Sequence, residues 1–109
     1  MRAALILLLS ACAPDADTAD TAGCGHEVLI TWETGGEALF LSYCRSCHSE
    51  AATDRHGAPE YLNYDTLEGV RAAEHNIRQA ALWDQVMPPG YPLSDEDRET
   101  LASFLDCGL

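Results

Sequence analysis

The 109-residue chain has no lysine, and its six arginines face 18 acidic side chains, giving a formal net charge of −12. Nucleic acid and anionic membrane surfaces are bound through Lys and Arg, so neither is an expected partner. Long hydrophobic runs are also lacking. The longest, Ala3 to Leu9, has seven residues, against the roughly 20 that a transmembrane helix needs. Aromatic residues make up 7 %, and methionine occurs only at positions 1 and 87. A domain of this size buries only about 60–65 % of its unfolded surface, so its own side chains make a marginal core. Cysteine is present in an odd number, five, so at least one has a role other than pairing within the chain.

The short apolar run follows Met1-Arg2 and ends in Leu9-Ser10-Ala11-Cys12. This resembles the lipobox of bacterial lipoproteins, in which the cysteine receives a diacylglyceride and becomes the mature N-terminus. The resemblance implies a signal peptide over residues 1–11, a membrane anchor at Cys12, and a periplasmic-side location with the leaflet open; a non-lipidated secretory signal is the rival. Residues 12–23 form an acidic, low-complexity stretch with no aliphatic side chain larger than alanine, which has nothing to bury against the entropy of ordering. It reads as a tether, whose eleven residues after Cys12 reach about 36–40 Å when extended. Residues 24–109 form the domain, where 15 acids and five arginines leave a formal −10.

The domain reads as all-α. A helix is predicted from Glu37 to Cys44, placing Phe40, Cys44 and Cys47 on one face at 100° per residue. Residues 49–65, with Gly57, Pro59, Asn63 and Asp65, show no sustained period and read as a loop long enough to wrap around something. Residues 66–82 carry an apolar stripe of Thr66, Val70, Ala73, Ile77, Ala80 and Ala81, with Arg71, His75 and Arg78 off it. Pro88, Pro89 and Gly90 end that run. Ser94 opens a last helix with acids at 95–97 near its positive dipole end and a stripe of Leu101, Phe104 and Leu105.

Chemistry concentrates in Cys44-Arg45-Ser46-Cys47-His48. Two thiols three positions apart, with an imidazole directly after the second, form the c-type haem attachment pattern: each sulfur adds to one vinyl group and the adjacent His reaches the iron. A zinc site would need a second ligand pair with its own tight spacing, which neither Cys24 nor Cys107 supplies. A thioredoxin-like dithiol would need a βαβ context.

From about residue 35 to 107 the chain resembles the single-haem class I cytochrome c family, through Gly36-x-x-x-Phe40-x-x-x-Cys44-x-x-Cys47-His48. The resemblance implies a small all-α domain of three to four helices wrapped around one covalently bound haem c. In it, Gly36 lets the last helix cross close by and Phe40 packs between the helices. Gly57-Ala58-Pro59 is similar to the family's Gly-Pro segment, with Ala58 inserted, and implies that the Pro59 carbonyl accepts the Nδ1–H of His48. Met87, the one methionine left once Met1 is removed with the signal, stands before two prolines where the family places its second axial ligand. His26, His56 and His75 are the alternatives, with His56 held in reserve. Crossing of the first and last helices in the resembled fold also implies a Cys24–Cys107 disulfide.

Trp32, Trp83, Tyr43, Tyr61, Tyr64 and Tyr91 are read as packing first and cofactor contacts second. The expected function is a monomeric, membrane-tethered electron carrier, not an enzyme, with iron held by His48 and Met87. Its redox donor and acceptor are expected to present basic or neutral docking faces, because an acidic partner would be repelled. A peroxidase or gas sensor with displaceable Met87, and a haem-free disulfide-stabilised interaction module, are the alternatives.

Overall fold

The computed structural model describes Cys24 and residues 30–109, and the signal, tether and Cys12 anchor expected from the sequence lie outside these residues, as does His26. The described residues form four α-helices and no strand: α1 (Glu37–Tyr43), α2 (Leu67–Ala72), α3 (Glu74–Ile77) and α4 (Asp95–Cys107), with π-helical turns at Trp32–Gly36 and Arg78–Trp83. The expected all-α class is what is observed.

The first π turn is fastened by Thr31 and Thr34, each accepting the other's backbone N–H on its hydroxyl (2.8 and 3.2 Å), a capping box that satisfies two donors at the helix start. α1 continues from it and stops at Tyr43, because Cys44 departs to φ −116°. The helix is therefore shorter than its apolar spacing predicts, and Cys47 lies beyond it. The stripe over residues 66–82 is real in burial, with Val70, Ala73, Ile77 and Ala81 all buried, but not one helix. Ala73 (φ −102°, ψ 8°) separates α2 from α3. Thr66 belongs to the cap rather than the stripe, its hydroxyl accepting from Gly69 N–H at 3.1 Å. α4 starts where expected: Asp97 N–H donates to Ser94 Oγ at 3.1 Å, and Leu101, Phe104 and Leu105 are buried.

α4 packs against both π turns. Phe40 and Phe104, each fully buried, meet edge to face at 6.1 Å, and Trp32 tilts against both at 5.9 and 6.3 Å. A Cβ on Gly36 would sit 2.8 Å from the Phe104 ring, so the close crossing requires glycine here. Gly36→Ala is expected to cost about 1–3 kcal/mol through overpacking, lowering the midpoint of thermal unfolding while leaving the cavity residues in place; an unchanged midpoint would show that Phe104 yields freely. At the domain's end, Cys24 and Cys107 have their sulfurs joined and their Cα atoms 5.5 Å apart across 83 positions. Arg78 bridges α3 and α4 by contacting Glu74 and Asp106, each at 2.8 Å.

Candidate functional site

The helices and the 49–65 loop enclose a cavity of about 830 Å3 whose wall includes Cys44, Cys47, His48 and Met87. That volume lies within the about 300–1,000 Å3 usual for cofactor sites. Leu39, Leu62, Ile77, Ala81, Leu93 and Leu101 supply much of the apolar lining. Among the described residues no Asp or Glu lines it, although 18 of the chain's residues are acidic.

The two thiols reach the cavity from a turn, not from one helix face. The Cys44 carbonyl accepts from both Cys47 N–H (3.3 Å) and His48 N–H (2.9 Å), so the chain coils tightly past the end of α1. Burial pushes the Cys44 thiol up to about 12, which keeps it protonated and apolar in the unmodified chain.

His48 is buried. Its Nδ1 donates to the Leu62 carbonyl at 3.0 Å, and no hydrogen bond to a described residue engages Nε2. This corrects the expectation for Pro59. Pro59 lines the cavity, but its carbonyl accepts from Arg55 Nη2 at 2.7 Å. The Gly57-Ala58-Pro59 segment is spent on a turn, with His56 and Gly57 in the left-handed region (φ 50° and 88°), and the carbonyl that meets His48 comes three residues later. Burial lowers the His48 pKa; the Leu62 carbonyl opposes it, and the Arg55 charge adds a smaller push downward. The imidazole is accordingly held neutral with one nitrogen committed, the state in which a histidine ligates metal.

Tyr64 fixes the other side of that ring. It stacks on His48 at 4.6 Å and 24°, meets Phe40 edge-on at 5.6 Å, and donates its backbone N–H to the His48 carbonyl at 2.8 Å. Asp65 then accepts from Ser49 Oγ (2.6 Å) and Glu50 N–H (2.9 Å) and pairs with Arg45 (3.3 Å), closing the loop onto the end of the Cys-His turn. Trp32 is core packing, Tyr43 lines the cavity while donating its hydroxyl to Asp97 on α4, and Tyr91 lines the cavity; Tyr61 and Trp83 are exposed.

Met87 reaches the cavity from the segment after the second π turn. The Ala80 carbonyl accepts from both Val86 N–H (2.8 Å) and Met87 N–H (3.1 Å), tying this strap to the helix behind it. Pro88 is buried and follows a cis bond. His56 and His75 are exposed and also line the cavity. His56 belongs to the loop that serves His48, whereas Met87 lies on a separate element.

Arg55 and Leu62 carried no assigned role in the sequence reading. A single arginine in a loop carries no pattern that marks it, and the acceptor role of a backbone carbonyl has no side-chain signature.

An all-α domain with a Cys-x-x-Cys-His turn opening into an apolar cavity defines a small c-type cytochrome. The chain belongs to the family described as cytochrome c oxidase, cbb3-type, subunit III, whose model matches residues 33–105. No curated protein and no solved structure matches it. The family carries a covalently bound c-type haem with iron and works in electron transfer with redox partners. The residues present fit that group: the apolar cavity, the thiol pair facing it and a neutral buried imidazole with a free nitrogen are what a haem attached through two thioethers requires.

Proposed function

We propose that this protein is a one-electron carrier with haem attached through Cys44 and Cys47 and iron held axially by His48 and Met87. The observation that carries the reading is that these four residues, from two separated segments of the chain, line one cavity whose wall, among the described residues, carries no Asp or Glu. Haem supplies the reversible Fe(III)/Fe(II) couple. The chain's own contributions are to orient His48 through Leu62 and Tyr64, to present Met87 on a tied strap, and to keep the cavity wall apolar. With both axial positions filled by protein, no iron site is left open for substrate, which makes the role electron relay rather than catalysis. A soft thioether also favours the reduced iron relative to a second imidazole.

The absorption spectrum of the mature protein tests the ligand set. A low-spin spectrum with a weak thioether-to-iron charge-transfer band at the red end of the visible range is expected in the oxidised protein. Met87→Ala should abolish that band, and His56→Ala should leave it unchanged. Loss of the band in His56→Ala alone would assign the sixth position to His56. Carbon monoxide binding to the reduced wild-type protein at neutral pH would favour the sensor or peroxidase alternative.

The export elements belong to the same proposal: a signal over residues 1–11, lipid on Cys12, a tether over 12–23, and a working position on the periplasmic side of a membrane. The leader-like run and lipobox pattern support it, as does the general extracytoplasmic setting of c-type domains, and no helix among the described residues is long and apolar enough to cross a membrane. The joined sulfurs of Cys24 and Cys107 support a disulfide suited to that compartment. The working form is a monomer, and its partners dock through basic or neutral faces. Electron exchange with a basic redox partner should therefore slow as ionic strength rises from about 10 to 500 mM, where the Debye length shrinks from about 30 Å to a few ångströms. A rate that rises with salt would overturn that charge assignment.

A further inference from the structure

Arg55 has an unusual set of partners for a cation in so acidic a chain. Its Nε donates to the Ala58 carbonyl (3.3 Å), Nη1 to the Ser49 carbonyl and Asn63 Oδ1 (both 2.7 Å), and Nη2 to the Pro59 and Leu62 carbonyls (2.7 and 3.1 Å). A guanidinium has five N–H donors, and here each has a neutral acceptor. Arg45, Arg78 and Arg98 all pair with carboxylates, whereas Arg55 pairs with none among the described residues. Its side chain lines the cavity and shares the Leu62 carbonyl with His48 Nδ1.

We infer that Arg55 is a positioning residue that raises the reduction potential of the haem iron, acting through its uncompensated charge and through the carbonyl it shares with His48. This deepens the electron-carrier reading and rests on it. Two effects work in the same direction. A positive charge on the cavity wall, with no carboxylate to cancel it, disfavours the more positive oxidised iron. A carbonyl already bonded to a cation also has less electron density to offer the imidazole N–H. The ring then donates less charge to the metal, which again favours the reduced form. Because the five donors are committed to neutral groups, the charge is held in place without being neutralised. The surrounding acids would pull the potential down, and Arg55 opposes them at the cavity wall.

Holding the 49–65 loop together is the plainer role for the same contacts, and the two roles separate by charge. The midpoint potential of the haem-loaded protein should be measured at fixed pH and ionic strength, alongside its thermal unfolding and oxidised spectrum. Arg55→Gln is expected to lower the equilibrium constant for reduction about threefold or more, a shift of about 28 mV or more at 59 mV per tenfold for one electron. Arg55→Lys keeps the charge with fewer donors. It should lose stability comparably while retaining most of the potential. Asn63→Asp places a carboxylate on the same guanidinium; it keeps the Oδ1 contact with Arg55 and gives up the Nδ2–H bond to the Glu60 carbonyl (2.8 Å), so it should lower the potential while Arg55 stays in place. It decides the matter if Arg55→Gln does not fold. Arg71→Gln makes the same change in net charge on α2, away from the cavity wall, and should leave the potential near wild type. An unshifted potential in haem-loaded Asn63→Asp or Arg55→Gln, or an equal shift in Arg71→Gln, overturns the inference and leaves the electron-carrier reading intact. A wild-type protein without covalent haem, produced in a host that matures c-type cytochromes, overturns both.

Discussion

A denaturing gel of the Cys44→Ser/Cys47→Ser double variant, stained for haem, is expected to be blank where the wild-type band stains, and the chain should lose much of its stability. The first effect follows from chemistry, because a serine hydroxyl does not form the thioether that survives denaturation. The second follows from packing. The buried hydrophobic core is small, with Phe40, Val70 and Phe104 as its largest fully buried side chains, and the cavity of about 830 Å3 adjoins it. Filling such a space with apolar mass should contribute at least as much as burying two or three large aliphatic or aromatic side chains, about 3–9 kcal/mol. Each kcal/mol moves the melting temperature of a domain this size by about 4–8 °C. Loss of the group should therefore lower it by about 12 °C or more. Single variants, each retaining one thiol, should stain weakly and melt between the two. A double variant that melts with the wild type would mean that the side chains close the cavity unaided.

That dependence on a bound group is the physical content of the marginal core inferred from chain length. Other parts of the structure were legible to different degrees. α4 was readable in full, since Ser94, the acids at 95–97 and the Leu101, Phe104 and Leu105 stripe are local signals that agree with one another. The stripe over residues 66–82 correctly identified the buried face, yet hydrophobic spacing does not distinguish one α-helix from two joined at Ala73 and continued by a π turn. Both arrangements put Val70, Ile77 and Ala81 inward. The Cys-His turn shows the same limit in another form. The residue types determine the chemistry, but whether Cys47 sits on a helix depends on the Cys44 backbone angle. Least legible was the loop. The family-like Gly-Pro segment pointed to Pro59, while the acceptor is Leu62, because Arg55 takes the Pro59 carbonyl and the turn at His56-Gly57 shifts the register. Backbone carbonyls are alike in sequence, and only folding selects one.

Removing the link at the chain ends by Cys24→Ser/Cys107→Ser should destabilise the domain without changing its colour. The two residues are 83 positions apart, and in the chain-entropy treatment a cross-link closing a loop of that length contributes about 4–5 kcal/mol, a ceiling that native-state strain and residual denatured structure reduce. The loss should fall on the helix crossing. Gly108 leaves no room for a Cβ against the Ile30 carbonyl and the Phe104 ring, and Phe104 packs in turn on Phe40 and Trp32. Fraying of the last turn of α4 would thus reach the aromatic cluster first and His48 only through Tyr64, which packs on Phe40, while the Leu62 carbonyl holds the imidazole at Nδ1. Non-reducing peptide mapping of the wild type should recover Cys24 and Cys107 in one linked species, and the melting temperature of the double variant should fall by about 8 °C or more with its low-spin spectrum unchanged below the transition. Two freely alkylatable thiols in the wild type would remove the basis for the effect. A changed spectrum in the variant would show that the end clamp and the His48 support are one cooperative unit, with the aromatic cluster transmitting the loss.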